Sequence, residues 1–284
     1  MNPKKAQPKD QFAPDRARRR AFTLVELMMM CALVGLGAML LVPALAQSRM
    51  DSMMLTCMNN QRQLVRAWQL YATDFNEILV AANANTVDGL GRPAWMTGSL
   101  DFTGSNPSNY NTNQDIVNSP LWPYTSRKAG VFSCPSEHSA RVRSVSMNGA
   151  LGRGAWLNGS TGSPDPYRIY VRLSEIRSLN HTFVFLEEHP DSINDGAFAT
   201  SCAGAQPTDS PSQARIIDYP AAYHRGGCTF SFADGHVEVH GWLGATIRSA
   251  PVSYNNFSLL PLNVSAGNSW GDIHWLAANT TVKK

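Results

Sequence analysis

Two histidines and a glutamate alternate in His236-Val237-Glu238-Val239-His240, a spacing that on a β-strand puts both imidazoles and the carboxylate on one face. Imidazole nitrogens and carboxylate oxygens are ligands for zinc and related divalent ions. His224 and the pair Glu187-Glu188, followed by His189, are further donors that a fold could bring to the same place. Paired carboxylates such as Glu187-Glu188 also suit calcium, which takes oxygen ligands. The plainer reading of the 236–240 face is a solvated strand face, which alternation predicts without any ion. The expectation is therefore no cofactor, with calcium or another divalent metal as the alternative. The sequence holds no His-Glu-x-x-His, no phosphate loop and no dinucleotide fingerprint. With no nucleophile beside an evident base, no catalytic residue is assigned and the chain reads as a non-enzyme.

Cysteine is the other reactive side chain. Cys31 lies in an apolar N-terminal run, while Cys57, Cys134, Cys202 and Cys228 follow it, none in a Cys-x-x-Cys. Outside the cytoplasm four such residues allow three pairings. The favoured one joins Cys57 to Cys134 and Cys202 to Cys228; buried free thiols are the alternative.

These groups need elements to hold them. Asp234-Gly235 between alternating runs is a strong hairpin signal. A two-residue turn there pairs Phe232 with Val237 and Phe230 with Val239, putting four apolar side chains on one face and Thr229, Ser231, His236, Glu238 and His240 on the other. Upstream, Gln47 to about Asn76 contains neither Pro nor Gly, and Leu64, Trp68, Tyr71 and Phe75 recur at helical spacing, predicting an amphipathic helix. Residues 81–133 have no sustained period. They read as ordered loops whose aromatics (Trp95, Phe102, Tyr110, Trp122, Tyr124) pin them to the helix rather than bind glycans. Short strands are expected over 131–136, 144–148, 169–173 and 181–186, with an exposed loop over 207–211.

At the N-terminus, Arg18-Arg19-Arg20 precede an apolar run from Phe22 to Ala46 in which Glu26 and Cys31 are the only ionisable groups. About 25 residues at 1.5 Å each predict a transmembrane helix. A secretory signal peptide ending at Ala44-Leu45-Ala46 is the rival reading, and the length of the run argues against it. Glu26 would need a partner, since a carboxylate at mid-membrane costs roughly 2.5–3.5 kcal/mol. The first 21 residues carry seven of the 24 Lys/Arg and two of the 21 Asp/Glu, leaving 17 basic against 19 acidic residues. The remainder is near neutral, which removes the compositional case for nucleic-acid binding. The basic leader predicts a cytoplasmic N-terminus.

Ala21-Phe22-Thr23-Leu24-Val25-Glu26-Leu27 after a basic leader resembles the type III signal of type IV pilins and type II secretion pseudopilins. The resemblance implies cleavage between Ala21 and Phe22 by a prepilin peptidase, with N-methylation of Phe22. Glu26 becomes the fifth mature residue, whose carboxylate in that family pairs with the new amine of a neighbouring subunit. Pro43 becomes mature residue 22, where such helices carry a proline that should kink or locally melt the helix. Ala21 departs from the usual Gly. The stretch from Cys57 to Asp74, and His224 separated by nine residues from Asp234-Gly235 in Phe-Ala-Asp-Gly-His-Val-Glu, resemble the pseudopilin-like proteins of planctomycetes and verrucomicrobia.

The implied fold class is α+β and pilin-like: a long N-terminal helix, transmembrane in its first half, packed on an antiparallel β-sheet head with long loops. The implied domains are a cleaved leader (1–21), a transmembrane and assembly helix (22–46) and an extracytoplasmic head (47–284), with the helix continuing to about 76. The implied function is a structural filament subunit at the bacterial inner membrane, single-pass with a periplasmic head. Its partners would be prepilin peptidase, other pseudopilins or further copies of itself, an inner-membrane assembly platform and the lipid bilayer, with no nucleic acid. A membrane-tethered binding or metal-dependent hydrolytic domain acting on polysaccharide is the alternative.

Overall fold

The computed structural model describes residues 22–83, 91–254 and 260–284, with residues 37 and 40–46 described by backbone alone. The expected leader (1–21) and the Ala21 side of the cleavage site lie outside the described residues, as does the Pro43 side chain. The chain divides into two compact units, Met1–Ser48 and Arg49–Lys284.

Helix α1 runs over Leu24–Asp74. It opens with a reciprocal capping box: Glu26 N–H donates to Thr23 Oγ1 at 3.3 Å, and Thr23 N–H donates to Glu26 Oε2 at 2.9 Å. The hydrogen-bonded backbone continues through position 43, so the helix does not melt there. It stops where Asn76 and Glu77 turn left-handed, with φ of 54° and 65°.

Among the described residues no helix is long and apolar enough to cross a membrane. This overturns the expected transmembrane span over 22–46 and, with it, the single-pass inner-membrane localisation.

In the second unit, Cys57, Gln61, Leu64, Val65, Trp68, Tyr71 and Ala72 form a buried stripe at helical spacing along α1. The stripe faces a five-stranded sheet of order β3-β1-β2-β5-β6. Its strands are β1 (Val145–Asn148), β2 (Phe183–Glu187), β3 (Ala197–Phe198), β5 (Gly227–Phe232) and β6 (Val237–Gly241). Strands β4 (Arg215–Ile216) and β7 (Val264–Ser265) form a separate two-stranded ladder. Two single-turn helices, α2 (Pro107–Tyr110) and α3 (Ala245–Arg248), and the longer α4 (Trp270–Ala278) complete the regular elements.

The sheet is mixed rather than antiparallel, because β3 pairs parallel with β1 through Met147↔Ala197 and Asn148↔Phe198. A two-residue edge strand has no period to announce it in sequence. The segments 131–136 and 169–173 are not strands either. The first holds a 3-10 helix at Ala129–Phe132, and the second makes a single bridge, Ile78↔Arg172, before the 3-10 turn Leu173–Glu175.

The two sheet faces carry different cores. Toward α1 lie Phe185 and Ser231, the latter donating to Gln61 Oε1 at 3.0 Å, with Trp95 edge-on to Phe185 at 5.0 Å. Toward α4 lies Phe230, edge-on to Trp275 at 5.0 Å. In the loops, Trp95 is fully buried and Tyr124 Oη donates to Asp74 Oδ2 at 2.7 Å, fixing residues 91–133 to the end of α1.

Candidate functional site

Strand β5 is bounded by two turns that set what it presents. At its entry His224 and Gly227 exchange both backbone hydrogen bonds at 3.1 Å across Arg225 (φ 57°) and Gly226 (φ 80°), a two-residue turn with both central residues left-handed. At its exit Phe232 N–H donates to His236 carbonyl oxygen at 3.0 Å, so the loop is the three residues Ala233-Asp234-Gly235, with Gly235 at φ 95°. The expected two-residue turn is therefore one residue too short. Ser231 pairs with Val237, Phe230 with Glu238 and Cys228 with His240.

A one-residue slip exchanges faces. Val237 and Val239 lie with Thr229 and Ser231 toward α1, while His236, Glu238 and His240 share the face of Phe230 and Phe232. The two histidines are occupied separately. His236 stacks on Phe232 at 4.3 Å and its Nδ1 lies 2.6 Å from Asp234 Oδ1. His240 stacks on Trp275 at 3.6 Å. Glu238 is exposed on the edge strand. The expected His236-Glu238-His240 ligand face does not assemble.

Among the described residues one group of metal-competent side chains converges: Cys57, Cys134, Glu187 and His224, with one donor atom from each lying within 4.8 Å of the others and all four residues buried. Four separate segments supply them. Cys57 is the first residue of the buried α1 stripe. Cys134 follows the 3-10 turn that Asn60 Nδ2 clamps by donating to the Gly130 and Ser133 carbonyls, each at 3.0 Å. Glu187 ends β2 on the face toward α1, and His224 opens the turn into β5.

Cys57 and Cys134 are joined as a disulfide with Cα atoms 5.2 Å apart. His224 Nε2 lies 3.6 Å from Cys134 Sγ and 3.0 Å from Glu187 Oε1. Glu187 Oε2 accepts the Thr229 N–H at 3.0 Å. The other expected pair, Cys202 with Cys228, is not formed: both are buried free thiols. Cys228 donates to the Glu187 carbonyl at 3.1 Å, which ties it to the back of the cluster instead. Burial pushes the Cys202 thiol up to about 12 and the Cys228 thiol well above the thiol range, so both stay protonated.

Glu188 does not join Glu187 as a paired calcium ligand, because alternation sends it to the opposite side of the strand. There Ser192 Oγ donates to its Oε1 at 3.0 Å. Burial first, and then the Asp218 carboxylate, push Glu188 well above the carboxylate range; burial likewise raises Asp218, to about 7. His189 is pushed down to about 4 by burial and receives the Asp191 N–H on Nδ1 at 3.1 Å. Burial thus raises both carboxyls, Glu188 and Asp218, on this side of the strand.

Of the residues singled out in sequence, the structure thus brings together His224 and Glu187. It adds Cys57 and Cys134, which the sequence reading treated only as a disulfide. Their signal was positional: Cys57 lies four residues before Gln61 on the buried stripe, and His224 precedes Arg225-Gly226-Gly227, a glycine pair that calls for a tight turn. Comparison of the chain with protein-family models, with curated proteins and with solved structures yields no match.

Proposed function

We propose that this chain is a self-assembling structural subunit of the type IV pilin and type II secretion pseudopilin kind, built into a filament through the N-terminal half of α1. The observation that carries the reading is the state of that half-helix. Leu24, Val25, Leu27, Met28, Met29, Met30, Leu33, Val34, Leu36 and Met39 are all exposed, Leu24 by 73% and Val34 by 72%. Their positions cover every side of the helix, so no single groove could bury them. A contiguous apolar surface of this extent marks an interaction surface. Equivalent helices from further copies, packed around it, bury it on all sides.

The capping box supports the same reading. Cleavage between Ala21 and Phe22 by a prepilin peptidase leaves the Phe22 amine at the head of the helix, next to the Thr23–Glu26 cap. Glu26 then exchanges a local hydrogen bond for the amine of a neighbouring copy, a charge-assisted contact inside an apolar bundle. Replacing Glu26 by Gln tests this. Filament incorporation is expected to fall at least tenfold while the thermal unfolding of the second unit stays unchanged; assembly equal to the parent defeats the reading. Mass spectrometry of the mature N-terminus provides the companion result. N-methyl-Phe22 supports membership of the filament class, and an N-terminus near Gln47 excludes it.

A further inference from the structure

We infer that Cys57, Cys134, Glu187 and His224 form a redox-gated site for a thiophilic divalent cation, zinc in the first instance, which the disulfide closes and reduction opens. Three observations carry this, and none depends on the filament reading.

First, the donor set is complete and already gathered. A tetrahedral zinc with sulfur at about 2.3 Å and nitrogen or oxygen at about 2.0–2.1 Å places S···N edges near about 3.6 Å and N···O edges near about 3.3 Å. The Cys134 Sγ to His224 Nε2 separation is 3.6 Å, and the His224 Nε2 to Glu187 Oε1 separation is 3.0 Å. The two sulfurs must part, from a covalent bond to about 3.8 Å apart.

Second, outer partners already orient the ligands. Thr229 N–H holds Glu187 Oε2 at 3.0 Å, and Ser136 N–H donates to Cys134 Sγ at 3.4 Å, an arrangement that suits a thiolate. Two thiolates, one carboxylate and a neutral imidazole around a dication leave a single negative charge, which these two backbone donors face.

Third, His224 and Glu187 meet with both side chains 1% exposed, so a nitrogen and an oxygen donor already face each other out of solvent beside the two sulfurs. A cavity of about 180 Å³, lined by Met50, Met54, Ser136, Tyr223 and His224 among others, adjoins the cluster at His224.

A dithiol reductant reduces the Cys57–Cys134 bond to two thiols, giving up two electrons and two protons and closing its own disulfide. Zinc then displaces one proton from each thiol as two metal–sulfur bonds form. His224 offers Nε2 with its proton on Nδ1, and Glu187 offers Oε1.

The test uses the purified chain, oxidised or reduced with dithiothreitol, freed of reductant under argon and titrated with Zn²⁺ against a chromogenic chelator. One equivalent is expected to bind in the reduced form and none in the oxidised form. With Co²⁺ as the probe, the reduced chain shows a thiolate-to-cobalt charge-transfer band. Cys57→Ser and Cys134→Ser are each expected to weaken zinc binding at least a hundredfold and to diminish that band. Glu187→Gln weakens binding while keeping the band, and His240→Ala changes neither. Retention of binding in both cysteine variants overturns the assignment. So does a reduced chain that takes up no zinc, whether it stays folded or unfolds and is not refolded by the ion.

Discussion

The two halves of one helix obey opposite rules. From Arg49 to Asp74, α1 is amphipathic: Leu64, Val65 and Trp68 are fully buried against the sheet while Leu70 remains 52% exposed. From Leu24 to Met39 the helix has no polar face, and its apolar side chains are exposed on every side. The first pattern is what a helix needs to close a single core. The second leaves its hydrophobic surface unused within one chain. The same element therefore serves folding at one end and, on the reading proposed above, association at the other.

The contrast is broken most strongly at Trp68. Trp68→Ala removes a large, fully buried side chain from the layer between α1 and the sheet, and it is expected to destabilise the second unit by about 3–5 kcal/mol in chemical denaturation. A loss below about 1 kcal/mol would mean that this half is not the core of the fold.

A second prediction concerns the buried acids behind the sheet. Glu188 and Asp218 are both held above the ordinary carboxylate range, so the fold favours their neutral forms. The stability this brings is complete below about pH 4, where unfolded carboxylates are also neutral, and is lost as pH rises through the folded values, about 7 for Asp218. His189, held down to about 4, acts in the opposite sense across the same window, losing its contribution as pH falls. The informative quantity is therefore the difference between variant and parent. Glu188→Gln with Asp218→Asn is expected to gain on the order of a few kcal/mol relative to the parent between pH 4 and pH 8, measured by thermal unfolding. A parallel offset at every pH would show that the acids titrate normally.

The smallest stability effect belongs to the exposed half. Leu33→Ala, at a side chain 67% exposed, is expected to change the unfolding of the dispersed chain by less than about 0.5 kcal/mol. Its effect should appear only in assembly, as a raised critical concentration.

Much of the second unit was legible because its signals are periodic. Leu64, Trp68 and Tyr71 mark the buried stripe, Asp234-Gly235 marks a turn, and the apolar run after Thr182 marks β2. What escaped was decided by single residues. The hairpin register turned on whether the loop held two residues or three, and one residue exchanged the faces of His236 and His240. The parallel β3 is too short to show alternation. The Cys57, Cys134, Glu187 and His224 cluster joins positions 57 to 224, and no local pattern links groups so far apart in the chain. His224 and Asp234-Gly235 bound the two ends of β5: the first turn places the imidazole 3.6 Å from Cys134 Sγ, and the second closes the hairpin with β6.

Assembly through the apolar half of α1 can be read on a thiol that the chain already carries. Cys31 is exposed on the apolar half of α1, Cys202 and Cys228 are buried, and Cys57 is bonded to Cys134, so native alkylation of the oxidised chain reads Cys31 alone. If further copies of this helix cover that surface, Cys31 should react rapidly in dilute, dispersed chain. It should become at least tenfold slower on assembly and regain its reactivity in Glu26→Gln under the same conditions. Equal reactivity of Cys31 in dispersed and assembled protein would contradict assembly through this half of the helix.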